Sequence, residues 1–186
     1  FLANEFFDAL PIKQFLKDKG IWFEKFVHTS ANKKLGFINK KIDIKTVEKK
    51  INFKISVKQN FIEYSPLGLR YLIDIFKLIQ KNKGALLIID YGYFAEKMKD
   101  TLQAIHKKKY SKVLENIGKS DITHNINFNL IKKISKKFKD LDVNFTSQKN
   151  FLINLGIQQR AEIISKDKTF TEKVDMFYRL KRLINE

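Results

Sequence analysis

The 186-residue chain has no cysteine, two prolines, seven glycines, and only four arginines: Arg70, Arg160, Arg179 and Arg182. Without thiols it forms no disulfide, no thiolate metal site and no redox pair, a usage that fits a reducing compartment. With so little Gly and Pro, and no Gly/Pro/Ser repeat, it is neither a fibre nor a linker. No apolar run approaches the ~20 residues of a membrane span; the longest is Ala85 to Ile89. There is no P-loop and no Gly-x-Gly-x-x-Gly, hence no nucleotide-phosphate cradle within the chain. His28, His106 and His124 are far apart and lack two-His helical spacing, so no metal site is expected. Each histidine reads as a surface or satisfied structural residue. No Gly-x-Ser-x-Gly elbow supports Ser-His-Asp catalysis.

What is present suits a folded domain. Apolar residues make up 44% of the chain, including 17 Phe, and a chain of this length buries roughly two-thirds of its unfolded surface. Lys plus Arg number 37 against 20 Asp plus Glu, a net charge of +17. That surplus is the footprint of a protein that meets a polyanion. The lysines, however, are spread along the whole chain, and Lys107-Lys108-Lys109, Lys132-Lys133 and Lys136-Lys137 alternate with core positions. Scarce Arg argues against a phosphate or base reader, which uses bidentate forks. The charge reads mainly as a chain-wide bias towards Lys, Ile, Asn and Phe, with nucleic acid the less favoured partner. The alternative is a non-catalytic basic binding or adapter module contacting RNA or another acidic partner, whose affinity would fall steeply with salt.

The clearest local unit is central. Ser65 is a good N-cap and Pro66 suits the first helical position. Leu69, Leu72, Ile73, Phe76 and Ile79 then recur at helical spacing, and Gly84 closes the unit. Ala85 to Ile89 follows, apolar on both faces as in the middle of a parallel sheet, and ends at Asp90-Tyr91-Gly92. Phe1-Leu2-Ala3 reads as another strand end, before Asn4-Glu5. Residues 12–64 form a β-rich insertion with short strands at Gln14-Leu16, Ile21-Val27 and Gly36-Ile38. Residues 65–186 hold helix–strand units of the core. Asp121 leads to an N-cap at Asn127, followed by a helix with Phe128, Ile131, Ile134 and Phe138 on one face. Leu141, Val143 and Phe145 alternate as a strand, and Phe151 to Ile164 is helical with a break near Gly156. A last helix opens on the capping box Thr169-x-x-Glu172 and turns Val174, Phe177, Leu180 and Ile184 inward. Phe6, Phe7, Leu10 and Trp22 are expected in the core. The fold class is α/β, one domain.

In open α/β sheets ligands bind beyond the carboxyl ends of the strands, which selects two clusters, Asn4/Glu5/Asp8 and Asp90/Tyr91. Two carboxylates three residues apart converge if a helical turn follows; they then bind a guanidinium or accept a proton. The same spacing also describes a plain helix N-terminus, where acids are favoured by the dipole. Spacing alone leaves both open.

The segment Leu2-Ala3-Asn4-Glu5-Phe6-Phe7-Asp8-Ala9-Leu10-Pro11 resembles the signature of the MidA-like S-adenosylmethionine-dependent methyltransferases. The likeness continues in order through Glu63-Tyr64-Ser65-Pro66, Gly84 to Tyr93 with its Asp90-Tyr91-Gly92, Asp100 to Ala104, Gly118 to Phe128, and Ser147-Gln148 to Arg160. The resemblance implies the second half of a Rossmann-like class I methyltransferase sheet with an antiparallel β insertion. It implies S-adenosylmethionine as cofactor and a protein arginine as substrate, in a family that includes a respiratory complex I assembly factor. Location would be the bacterial cytoplasm or the mitochondrial matrix. Asn4 would meet the cofactor, and Glu5 and Asp8 would be catalytic, orienting the arginine. Asp90, Tyr91, Asp121, Thr123 and Gln148 would join Glu5 and Asp8 in lining the substrate side. Two departures stand out. Asn127 replaces the family's acid before Phe128, which removes a catalytic group or merely changes one helix cap for another. The family's Gly-rich cofactor turn precedes the Asn4-Glu5 block, and the chain opens on Phe1, so an internal piece of a longer enzyme, inactive alone, is expected.

Overall fold

The computed structural model describes residues 1–185. The chain divides into two compact units, Phe1–Asp142 and a second from Val143 onward. The first begins with β1 (Leu2–Asn4), β2 (Lys13–Asp18), β3 (Ile21–Thr29), β4 (Leu35–Ile42), α1 (Ile44–Ile51), β5 (Phe61–Tyr64) and α2 (Pro66–Asn82). It continues with β6 (Leu87–Ile89), β7 (Gly92–Tyr93), β8 (Gln103–His106), β9 (Lys109–Ser111), β10 (Asp121–Thr123), β11 (Ile126–Asn127) and α3 (Phe128–Ser135). The second holds α4 (Gln148–Asn154), α5 (Ile157–Ser165) and α6 (Phe170–Ile184).

The element that positions everything else is a parallel pair. β1 runs beside β6, with Leu2 opposite Leu87 and Asn4 opposite Ile89. Parallel neighbours need a long crossover, and here residues 5–86 supply it. α2 is the returning helix. The Ser65 hydroxyl accepts a hydrogen bond from the Gly68 N–H at 2.9 Å, Pro66 occupies the first turn, and Leu69, Leu72 and Phe76 are buried. Two residues beyond β6, β7 pairs in parallel with β11, Gly92 opposite Ile126. A Cβ on Gly92 would sit 2.4 Å from the Ile126 carbonyl oxygen and 2.5 Å from the Phe128 ring. Only glycine permits that approach.

Within the crossover lies an antiparallel sheet in the order β4-β3-β2-β5. Alternation along β2 and β5 sends Phe15 and Ile62, register partners, into full burial, with Trp22 and Tyr64 beside them. The chain also forms α1, which the sequence pattern did not suggest. It buries no residue and stands on local signals, an Asp43 cap on the Lys45 N–H and a left-handed Asn52 at its end. A further antiparallel sheet, ordered β10-β8-β9, follows β7.

Other expectations are corrected. The run at Ala85–Ile89 is not doubly buried: Leu87 is 39% exposed, and β1 is the strand partner of β6 among the described residues. Leu141, Val143 and Phe145 lie in irregular chain. In the second unit, Gly156 at φ +79° separates α4 from α5, and α6 opens on the full Thr169–Glu172 capping box. Yet α6 buries nothing; Val174 and Phe177 are exposed, while Leu180 and Ile184 are half-covered. Among the described residues no helix is long and apolar enough to cross a membrane.

Gly92→Ala is expected to cost about 1–3 kcal/mol through overpacking. Gly36→Ala, where a Cβ meets nothing within 4 Å, should stay within about 0.5 kcal/mol of wild type. Urea unfolding of the two variants side by side measures the difference.

Candidate active site

β1 and β6 end side by side, and the residues after each tip are polar. After Asn4 the chain is turned by the Glu5 N–H, which donates to the Ile89 carbonyl at 2.8 Å. Glu5 is thereby held at φ +44°, a left-handed conformation that side chains with a Cβ disfavour by about 1–2 kcal/mol. The chain then makes a tight turn closed by the Leu10 N–H on the Phe7 carbonyl at 3.3 Å. A helical turn, which would have aligned Glu5 with Asp8, does not form. Instead Glu5 is exposed and Asp8 is 5% exposed. Phe6 is not core either: it lies 41% exposed, edge-on to Phe7 at 5.2 Å.

Asp90 fastens the two tips. One of its carboxylate oxygens accepts the Phe7 N–H at 2.9 Å and the Asp8 N–H at 3.3 Å, and the other accepts the Tyr91 N–H at 2.9 Å. Burial, and then the neighbouring Asp8 carboxylate, push the Asp90 carboxyl above its ordinary range; the three N–H donors pull the other way without cancelling the rise. Asn4, Glu5, Asp8, Asp90 and the 62%-exposed Tyr91 are thus brought to one place.

Two buried atoms there have no hydrogen-bond partner: Asp8 Oδ1 and His124 Nε2. Their residues are joined through the main chain, the His124 N–H donating to the Asp8 carbonyl at 3.0 Å. His124 is 6% exposed, so it is neither a surface histidine nor a satisfied one. The sequence held one signal for it, its place between Thr123 and the strand entering β11. From Asn125 a polar chain leads on into the antiparallel sheet. The Asn125 N–H donates to the Thr101 hydroxyl at 2.8 Å, that hydroxyl donates to Glu63 at 2.5 Å, and Gln14 donates to both Glu63 and Asp100 at 2.6 and 2.7 Å. Glu63 and Gln14 are buried and were not singled out by spacing.

The remaining expected residues take no part in the Asp90 clasp. Thr123 accepts from Gln103 at 3.2 Å within the β10-β8-β9 sheet, and Asp121 is exposed at its edge. Gln148 belongs to the second unit, where its side chain donates to the Leu183 carbonyl at 3.0 Å. Asn127 caps α3, accepting from the Asn129 and Leu130 N–H groups at 3.0 and 3.3 Å. An aspartate there would make the same bonds.

A family model for S-adenosyl-L-methionine-dependent methyltransferases matches residues 1–146. The chain belongs to that family. Among curated proteins it is 28% identical over 169 residues to the mitochondrial protein arginine methyltransferase NDUFAF7 of Xenopus tropicalis, covering 88% of this chain and 38% of that protein. It is 29% identical over 187 residues to the Caenorhabditis elegans homologue, covering 97% of this chain and 43% of that one. The chain therefore spans about two-fifths of these methyltransferases' length. A Burkholderia thailandensis protein crystallised with S-adenosyl-homocysteine shares the fold at a TM-score of 0.79 and 19% identity, over 100% of this chain and 49% of its own.

Two outcomes test the geometry. A carboxyl raised in the folded state contributes stability that is complete below the unfolded value of about 4 and is lost as pH rises through the raised value. The cost of Asp90→Asn should therefore shrink between pH of about 3 and about 7, measured by urea unfolding. Glu5→Gly relieves the left-handed backbone and should leave the melting temperature unchanged or higher, although a side chain is removed.

Proposed function

We propose that this chain supplies the substrate side of a methyl-transfer site, in an enzyme that methylates arginine on a protein using S-adenosylmethionine. The observation that carries this is the Asp90 clasp, which gathers three carboxylates, Glu5, Asp8 and Asp90, at the carboxyl ends of two parallel neighbours. That is where ligands of such sheets bind. Three acids at one tip complement a cation, and both a sulfonium and a guanidinium are cations. The parallel pair β1–β6, with β7–β11 beyond it, would be the second half of a Rossmann-like sheet, and the antiparallel sheet its insertion.

When bound, the cofactor supplies a methyl group made electrophilic by the sulfonium. Asn4, exposed at the tip of β1, would contact it. Glu5 and Asp8 would pair with the guanidinium and orient one nitrogen towards the methyl donor. The guanidinium nitrogen that accepts the methyl group would shed one proton. Asp8, whose Oδ1 is unpartnered, is the acceptor within reach of the turn. Much of the rate then comes from alignment. Asp90 sets the turn and Tyr91 walls the crevice, with Asp121 and Thr123 at its rim. A respiratory complex subunit is the proposed target, in the mitochondrial matrix, since the relatives are named mitochondrial, or in a bacterial cytoplasm.

Transfer of labelled methyl from S-adenosylmethionine to arginine in a mitochondrial or bacterial protein extract tests this reading. Asp8→Asn should lower the rate by about 10²-fold or more, and Glu5→Gln should also lower it, with folding intact. The assay uses the full-length enzyme that contains this chain; full transfer in both variants, or no methylarginine from the full-length wild type, would contradict the reading.

A further inference from the structure

β4 is the outer strand of the antiparallel sheet; β3 covers one edge, and among the described residues no strand covers the other. It is eight residues long, enough to offer a peptide a full set of main-chain donors and acceptors. Apolar side chains stay uncovered around it, with Leu35 38%, Phe37 43% and, on β3, Val27 57% exposed. The charge is one-sided. Between Ile21 and Ile42 stand Lys25, Lys33, Lys34, Lys40 and Lys41 against Glu24 alone. Glu24 is already paired with Lys13 at 2.5 Å and Lys25 with Asp100 at 3.2 Å. No salt bridge among the described residues engages Lys33, Lys34, Lys40 or Lys41, and Lys40 is steadied over the Phe26 ring at 5.3 Å.

We propose that the free edge of β4 docks an extended, acidic segment of the protein substrate by strand addition. This rests on the reading of the chain as part of an enzyme with a protein substrate, and it names how that substrate is chosen. Strand addition draws affinity from main-chain hydrogen bonds and selectivity from the side chains alongside. Edge lysines normally discourage pairing, and against a neutral strand or a second copy of β4 they do so here, since Lys40 and Lys41 would face like charges. Against an acidic strand the same lysines become the attraction. A nucleic acid fits less well: the hairpin has no arginine, and a row of alternating N–H and C=O groups matches a peptide backbone rather than a phosphate chain.

The test is an amide-resonance titration of the 15N-labelled protein with three probes: an eight-residue peptide alternating Glu and Val, its Lys–Val counterpart, and a short oligothymidine. The acidic peptide should shift the amides of residues 35–42, and should bind at least ~10-fold more weakly to a Lys40→Glu/Lys41→Glu variant that melts like wild type. Perturbation lying elsewhere, equal binding of the basic peptide, preference for the oligonucleotide, or self-association through β4 would each overturn it. Binding is read without methyl transfer. Loss of docking with arginine methylation intact therefore removes this proposal alone, whereas docking without methylation supports it and counts against the enzymatic reading.

Discussion

The structure turns on one carboxylate. Asp90 stands where a parallel strand ends, and it accepts main-chain N–H groups from its own successor, Tyr91, and from Phe7 and Asp8, more than eighty residues earlier. Hydrogen bonds to a charged acceptor contribute about 1.5–3 kcal/mol each. Here they oppose burial and the Asp8 charge, and the raised Asp90 pKa shows that the opposition is not fully met. A group held against its electrostatic preference persists when the surrounding fold needs its geometry. What needs it is the turn after Asn4, with Glu5 in a left-handed conformation and Asp8 folded underneath.

The insertion explains how so small a parallel pair is kept in place. β1 and β6 have three residues each, too few to hold a register unaided. The antiparallel sheet lying between them in sequence supplies the buried aromatic core, Phe15, Trp22 and Tyr64. The tyrosine is sealed well enough that burial, with the Glu24 charge, lifts its pKa to about 12. Glu63, on the neighbouring position of the same strand, points the other way and enters the polar chain through Thr101 to Asn125. His124 and the Asp8 turn lie one residue further on. The sheet that looks like an appendage in sequence is thus wired to the tip of β1.

Much of this was legible where the signal is local. The Ser65-Pro66 start of α2, the Asn127 cap and the Thr169–Glu172 box each concern groups within four residues, and each forms. The placing of Asp90 and Asn4 at neighbouring strand tips was also readable, because a doubly apolar run ending in a polar residue and Gly is a strand-end pattern. What failed depends on distant chain. Leu141, Val143 and Phe145 alternate but lie in irregular chain, and the apolar stripe of α6 is left partly exposed among the described residues. The helical turn expected after Asn4 does not form either, because the Asp90 hydrogen bonds set a tighter one. Spacing alone could not tell His124 from a surface histidine, since its main-chain partner, Asp8, lies far away in sequence. Likewise α1, although Ile44, Val47 and Ile51 share one face, is only eight residues long and sits among β-like segments.

Amide hydrogen exchange in Asp90→Ala tests most directly whether this carboxylate builds the site. The account expects the Phe7, Asp8 and Tyr91 amides to exchange at least ~10-fold faster than in wild type, while the β2–β5 ladder keeps its protection. Unchanged exchange at those three amides, or a uniform loosening of the whole first unit, would contradict it.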